Sequence, residues 1–368
     1  MLSRLKIYLK NFDWIIFAAI LLLVVFSLVE IYSVALGRGS VNLLNFKKQL
    51  ISAGIGFVAL FVTAFIDSNF LKSLSRYFYV FFILILLAVL FFGQTINGTK
   101  GWFYFAGIGL QPVEFMKIVL ILYLASYFSN LATHIKTIRH FFYSLLIALL
   151  PIILIFLQPD FGSALILGFI WLVMIFAANF NKKYFFSIAL AGLILTVMAW
   201  FLFFNNIQKD RILNFLNPGA NALSSGYNTT QAVIAVGSGG WIGKGVGFGS
   251  QSQLKFLPEA QTDFIFAVVA EELGFLGVML IIVFYAIFYF RCFSNLKKIN
   301  NDFGIYFVLG GIGLIFIQMF INIGMTSGIM PVVGLPLPFI SYGGSSLVSL
   351  LILVGIIENI IIKSKISY

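Results

Sequence analysis

The stretch PEAQTDFIFAVVAEELGFLGVMLIIVFYAIFYFR, residues 258 to 291, sets an acid, Asp263, at the head of a long apolar run and a base, Arg291, at its tail. A helix over 264–290 is long enough to cross a hydrocarbon core of about 30 Å. Asp263 and Arg291 then face opposite sides of a bilayer. What remains to be read is whether the rest of the chain repeats this pattern, and which side each end faces.

The pattern repeats. Of 368 residues, 61% are hydrophobic and 10% charged, with a mean hydropathy of +1.06, more apolar surface than a soluble core of this length can bury. Apolar runs fall at roughly 14–36, 47–66, 77–93, 112–129, 139–157, 162–180, 184–204, 264–290, 305–327 and 339–362, each of helical rather than barrel-strand length. The expected fold is an all-α integral membrane protein, one polytopic unit over 1–368 with about ten transmembrane helices. The first run is too long for a cleaved signal peptide and lacks a small-residue cleavage site, so it is expected to stay as an anchor.

The formal charge of +11 does not imply nucleic acid, because the basic residues are spread singly and in pairs between apolar runs. They sort by side. Arg4, Lys6 and Lys10; Lys72 and Arg76; Lys136 and Arg139; Lys182 and Lys183; Arg291, Lys297 and Lys298; Lys363 and Lys365 fall in alternate connections, the cytoplasmic set under the positive-inside rule. Both termini are therefore cytoplasmic, as is the single cysteine, Cys292, which excludes an intrachain disulfide. His134 and His140 lie in a cytoplasmic connection with no acid or Cys spaced for a metal site, and read as solvated.

One outward connection, 205–263 between the seventh and eighth spans, is far longer than the others and rich in Gly, Asn, Ser and Gln. Long loops in compact bundles are more often functional than idle. Asp263 closes this loop one residue after a possible N-cap, Thr262, so it either complements the helix dipole or does chemistry. Glu271, eight residues on, lies roughly 12 Å along the axis and cannot share its proton.

Other motifs sharpen the outer face. GSGGWIGKGVGFGS (237–250) departs from a phosphate loop, with Ser238 where the first Gly belongs and Gly245 after Lys244; its glycines allow backbone amides to approach an anion. LQPVEFMKIVL (110–120) sets Glu114 and Lys117 at i, i+3, able to pair within the membrane, where charges are costly and read first as functional. QPDFG (158–162) is a short outward turn carrying Asp160, alternatively a helix cap. GIMPVVGLPLPFISYGGSSL (328–347), with Pro331, Pro336 and Pro338, cannot be a plain helix and reads as a partly re-entrant wall lining a cavity.

Taken in order, NGTKGWF, LQPVEFMK, QPDFG, SSGYNTTQAVIAVGSGG, GKGVGFGSQSQLKFLPEAQTDFIFAVVAEELGFLG and GIMPVVGLPLPFISYGGSSL, spanning about residues 97 to 347, resemble the SEDS family (shape, elongation, division and sporulation). GSQSQLKFLPE and GLPLPFISYGG look more like its RodA, elongation branch than its FtsW, division branch. The resemblance implies a peptidoglycan glycosyltransferase that polymerises lipid II on the outer face of the bacterial inner membrane, with a class B penicillin-binding protein and the elongation machinery as partners. It maps the family's essential loop acid onto Asp263 and its intramembrane pair onto Glu114 and Lys117. Lys100, Trp102, Gln111, Asp160 and Arg211 are read beside these as further substrate-side residues. Three departures stand out: Gln261 where the family usually has His, Gly101 where Arg is expected before Trp102, and Asn217 and Asn221 in place of acids.

The implied chemistry is inverting transfer from undecaprenyl diphosphate, with Asp263 as base and Lys117, Lys100, Arg211 or a divalent cation compensating the leaving group. Asp263 alternatively holds that cation, Mg²⁺ or Mn²⁺. Two rival readings are a flippase for lipid-linked precursors, which suits buried charges but not charges gathered at the outer face, and a non-catalytic scaffold for a transpeptidase.

Overall fold

The structure, a computed structural model, describes residues 2–37, 42–96, 98–105, 108–131, 138–180, 183, 192, 201, 206–216 and 226–366. A short amphipathic helix, α1 (Leu2–Asn11), precedes α2 (Trp14–Ala35), α3 (Leu44–Phe65) and α4 (Ser68–Phe92). Three short antiparallel strands, β1 (Gln94–Ile96), β2 (Thr99–Phe105) and β3 (Ile108–Leu110), pair in the order β1-β2-β3 before α5 (Pro112–Leu131), α6 (Ile138–Phe156) and α7 (Phe161–Ala177). Then come α8 (Asn206–Leu216), α9 (Tyr227–Ser238), the single turn α10 (Ser250–Gln253), α11 (Ile265–Leu296), α12 (Asp302–Thr326) and α13 (Gly344–Ile366).

Eight of these helices, α2 to α6 and α11 to α13, are long and apolar enough to cross a membrane, and α7 is a shorter apolar helix. They match nine of the expected runs, seven of them to within five residues at each end; α4 starts at Ser68, ahead of the expected 77, and α11 runs on to Leu296, past the expected 290. The expected run at 184–204, like His134, Asn217 and Asn221, lies outside the described residues apart from 192 and 201. The chain is a multi-pass membrane protein.

Capping explains where several helices start. Asp13, Asp67, Asp160 and Asn301 each accept a backbone N–H from the first turn of α2, α4, α7 and α12, while Pro112 opens α5 at its first position, where an N–H would have no intrahelical acceptor. The centre of the bundle is α5 and α13, with 78% of each apolar window buried against 17% for α4. α13 lies along α3 so closely that a Cβ on Gly355 would run into Thr63 and Leu60, the small-residue contact by which membrane helices associate. Outward-facing Phe81, Phe91, Phe92 and Phe176 are exposed, the lipid-facing surface expected of so many phenylalanines.

At the end of the bundle where α2 starts, buried Asp13 ties three helices together. Its carboxylate accepts from Arg291 at 3.2 and 2.6 Å and from Asn295 at 2.8 Å, with the Lys365 ammonium 3.9 Å away. Burial opposes the charge, yet these partners outweigh it and hold the Asp13 carboxyl below the usual range. Cys292 is buried beside this lock. His140, expected to be solvated, is instead part-buried with its Nδ1 3.1 Å from the Tyr127 hydroxyl.

Candidate active site

The segment 205–263, expected as a long loop, is not bare. α8 and α9 lie within it, and α9 packs along α11. The segment ends in turns over 254–264, and α11 begins only at Ile265 with Phe264 as its cap, which gives no side-chain hydrogen bond. Thr262 is therefore not the N-cap expected from its position; its hydroxyl donates to Glu259 Oε2 at 2.7 Å. Asp263 stands one residue before the Phe264 cap, ahead of the first helical turn, and its side chain makes no capping hydrogen bond to α11.

The tertiary structure gives Asp263 partners from two other elements. Asn322 of α12 donates from Nδ2 to the Asp263 carbonyl at 2.8 Å and to the Leu335 carbonyl at 2.7 Å. The non-helical segment 331–343 is further pinned by Ser341, whose hydroxyl donates to the Thr262 carbonyl at 2.6 Å and accepts from the Leu337 N–H at 2.7 Å. Gln49 of α3 and Tyr285 of α11 hold it from behind, through Ser341, Gly343 and Pro338. The three prolines that forbid a helix here leave backbone groups free, and side chains from the surrounding helices take them up.

This segment separates two acidic corners. On one side, a Cβ on Gly334 would sit 3.4 Å from Asp263 Oδ2. On the other, a Cβ on Gly162, in the first turn of α7, would meet the Leu335 side chain at 2.7 Å and the Val333 carbonyl at 3.2 Å. Asp160 caps that turn, its Oδ1 accepting from the Ser163 N–H at 3.0 Å and its Oδ2 from Gln111 Nε2 at 3.3 Å. The cap reading of QPDFG is thus correct as far as one oxygen; the other faces Gln111, whose own N–H is held by the Ser345 hydroxyl at 3.1 Å.

Glu114 and Lys117 do pair, at 2.7 Å, on the first two turns of α5, with the two residues 3% and 1% exposed. Their charges reach Asp160: burial pushes its carboxyl up, the Ser163 N–H and Lys117 pull it down, and Glu114 raises it further, leaving it above the usual range. Asp263 is pushed up to about 6, first by enclosure and then by Glu259, with Arg211 opposing and Asp160 adding to the rise. One electrostatic unit therefore runs from Lys117 through Asp160 to Asp263 and Arg211.

Other expected site residues have partners elsewhere. Arg211 reaches the Val333 carbonyl from α8 at 3.4 Å. Lys100 directs its ammonium to the Phe91 carbonyl at 3.4 Å, at the end of α4. Trp102 of β2 covers Gly109, and a Cβ on Gly101 would point toward Gln158 and Gln111 at 3.7 and 3.9 Å, the corner an arginine there would enter. Gln261 is a bracket: its side chain accepts from Asn45 at 2.7 Å and its carbonyl from the Tyr342 N–H at 2.7 Å.

The glycine-rich segment answers differently from its sequence. The anions its backbone approaches belong to the protein itself. Glu272 accepts from the Gly247 N–H at 2.9 Å, and from Ser33, Ser252 and Gln253 side chains at 2.5, 3.0 and 3.1 Å. Glu271 accepts from Lys244 at 3.0 Å and from the N–H groups of Gln251 and Ser252 at 2.9 and 3.1 Å. These two glutamates fill the cradle and clamp residues 243–253 to α11, near its kink at Gly274 (φ 66°).

Among the described residues no three His, Cys, Asp or Glu side chains converge on a metal position. The chemistry at Asp263 suits a hydrated cation shared with a phosphate ligand, since Mg²⁺ and Mn²⁺ take hard carboxylate oxygens and keep much of their water. It does not suit a resident ion in an all-protein cage.

A family model described as cell cycle protein, covering FtsW, RodA and SpoVE, matches residues 12–366. Stage V sporulation protein E of Bacillus subtilis is 37% identical over 85% of this chain and 86% of its own length. Peptidoglycan glycosyltransferase MrdB of Escherichia coli is 34% identical over 85% of each chain. Among solved structures, a chain of a peptidoglycan synthase complex, reported for its coordination of polymerization and crosslinking, superposes with a TM-score of 0.81 at 27% identity, covering 95% of this chain and 97% of that one. The rod shape determining protein RodA of Thermus thermophilus gives 0.72 at 26% identity, over 95% and 96%.

Proposed function

The chain belongs to the FtsW/RodA/SpoVE family of cell cycle proteins, and from that membership we infer that it is a peptidoglycan glycosyltransferase. The observation that carries the site is Asp263: a partly enclosed carboxyl with its pKa raised to about 6, on the outer face, backed by a segment with no side chain at Gly334. A base with its pKa just below working pH is both ionised and able to take a proton.

The reaction proposed is polymerisation of lipid II on the outer face of the bacterial inner membrane. The acceptor's 4-hydroxyl oxygen forms a bond to C1 of the donor sugar as the bond from C1 to the diphosphate oxygen breaks. The hydroxyl proton goes to Asp263 Oδ, and undecaprenyl diphosphate leaves as the anion. A single displacement inverts the anomeric centre. Arg211, on the rim, is the cation proposed to oppose the diphosphate charge; across the 333–335 segment the Lys117–Glu114 pair and Asp160 carry no net positive charge, and Lys117 would add to that role only if substrate drew it away from Glu114, with Gln111 orienting Asp160. Lys100 and Trp102 flank this side on β2. In the alternative reading Asp263 is not the base but would hold a divalent cation, which would neutralise charge at the diphosphate.

The partner proposed is a class B penicillin-binding protein, supported by the likeness to a chain of a peptidoglycan synthase complex. The elongation role is supported by the motifs GSQSQLKFLPE and GLPLPFISYGG and by the likeness to RodA. The test is glycan polymer made from lipid II by the full-length chain with its cognate transpeptidase, Mg²⁺ or Mn²⁺ present and crosslinking blocked by a β-lactam. Polymer from wild type and none from a folded Asp263→Ala variant is expected. Polymer from both would overturn the assignment of Asp263, and polymer from neither would favour the flippase or scaffold readings.

A further inference from the structure

On the face that the basic residues assign to the cytoplasm, the ends of α4, α5 and α6 border an open cavity of about 470 Å³, within the size range of small-ligand sites. All ten lining residues are polar and none is acidic. Lys72 and Arg76, at i, i+4 on α4, point to it together, and neither makes an ion pair with another described residue. The nearest capping acid, Asp67, is engaged by Lys363 and by the Asn69 N–H. Two like charges on one helix face repel each other, and here Asn69, Asn130, Tyr123 and Tyr143 surround them with further hydrogen-bonding groups.

The cavity continues into hydrocarbon. Tyr143 begins an exposed stripe on α6 that runs through Leu146, Leu150 and Ile153, at i, i+3, i+7 and i+10. A soluble phosphate has no use for such a stripe, whereas an acyl chain does. We propose that this cavity binds the headgroup of an anionic phospholipid of the cytoplasmic leaflet, its phosphodiester between Lys72 and Arg76 and an acyl chain along the α6 stripe. Basic pockets between transmembrane helices on this side suit such headgroups.

The test is lipid binding to the full-length protein in detergent, followed by native mass spectrometry with dioleoylphosphatidylglycerol, dioleoylphosphatidylcholine and inorganic phosphate. Wild type is expected to prefer phosphatidylglycerol, and K72Q/R76Q to bind it roughly 30-fold more weakly, taking about 1 kcal/mol per basic contact. Ser73, exposed on the cavity wall in the first turns of α4, offers a variant that leaves the cations in place: S73E should weaken binding in the same sense. K297Q/K298Q, which removes equal charge from exposed positions elsewhere on this face, should leave affinity unchanged. Unchanged binding by both K72Q/R76Q and S73E would overturn the proposal. So would an equal loss in K297Q/K298Q, or displacement of the lipid by millimolar inorganic phosphate.

Discussion

Asp263 faces Gly334: a Cβ on this glycine, which sits at φ 77°, would stand 3.4 Å from Asp263 Oδ2, so Gly334 leaves open the position that any side chain would fill. A Gly334→Ala variant takes a methyl into that space and forces an alanine into left-handed backbone, costing about 1 kcal/mol of stability. Polymerisation is expected to fall at least tenfold, roughly 1.4 kcal/mol in barrier, while the protein stays folded. Turnover at saturating lipid II, measured beside thermal unfolding in detergent, checks both halves.

The raised pKa of Asp263 sets a pH dependence. The acid is a base only when ionised, so kcat/KM should fall with unit slope as pH drops through about 6. Arg211 opposes the rise, so Arg211→Gln should move that midpoint upward. A profile that is flat from pH 5 to 8, or a midpoint unmoved in Arg211→Gln, would contradict the role given to these groups.

Stability should move the other way. A carboxyl whose folded pKa is raised loses stability as pH climbs from its unfolded value, about 3.9, to its folded value, because the folded state penalises the charge. Asp263→Asn is therefore expected to be inactive yet more stable at pH 7.5, by up to about 2 kcal/mol after allowing for partial exposure. Thermal unfolding of the two proteins, with the difference vanishing toward pH 4, is the measurement.

The Glu114–Lys117 pair invites the opposite experiment. Lys117→Ala strands a buried carboxylate and should cost roughly 3 kcal/mol. The swapped variant E114K/K117E is expected to regain thermal stability and to remain at least tenfold below wild type in polymerisation, because Asp160 would then face the wrong charge. Full activity in the swap would reduce the pair to a helix lock.

Asp13 gives a purely structural counterpart. Its depressed pKa means that its contribution is present above about pH 4 and is lost on acidifying below that. Asp13→Asn should lower stability by roughly 2 kcal/mol at pH 7, and the deficit should shrink by pH 3 in a detergent that tolerates acid. Retention of the full deficit at pH 3 would assign it to the lost Asn295 and Arg291 contacts rather than to charge.

Several site features were visible in the chain. Glu114 and Lys117 are close because three residues on a helix is one turn, and Asp160 caps α7 because a short polar turn before an apolar run needs a cap. Thr262 misled because a capping residue type says nothing about where the next helix starts, and here turns over 254–264 delay it. The glycine-rich segment misled for a related reason. Glycines expose amides to an anion, but which anion arrives depends on packing, and Glu271 and Glu272 of α11 arrive first. Asn322 and Ser341, which pin the backbone on either side of Asp263, carried no signal at all: one is an ordinary polar residue in an apolar helix, the other one serine among several.

By itself, the sequence determined that this is a multi-pass membrane protein and where most of its spans lie, because hydropathy and proline act locally against lipid and water. Only the tertiary structure decided that Asp263 meets Gly334, that Asp160 stands across the 333–335 segment, and that the glycine-rich segment closes on the protein's own carboxylates. Those contacts join helices far apart in the chain, and burial and charge at Asp263 follow from which of them pack together.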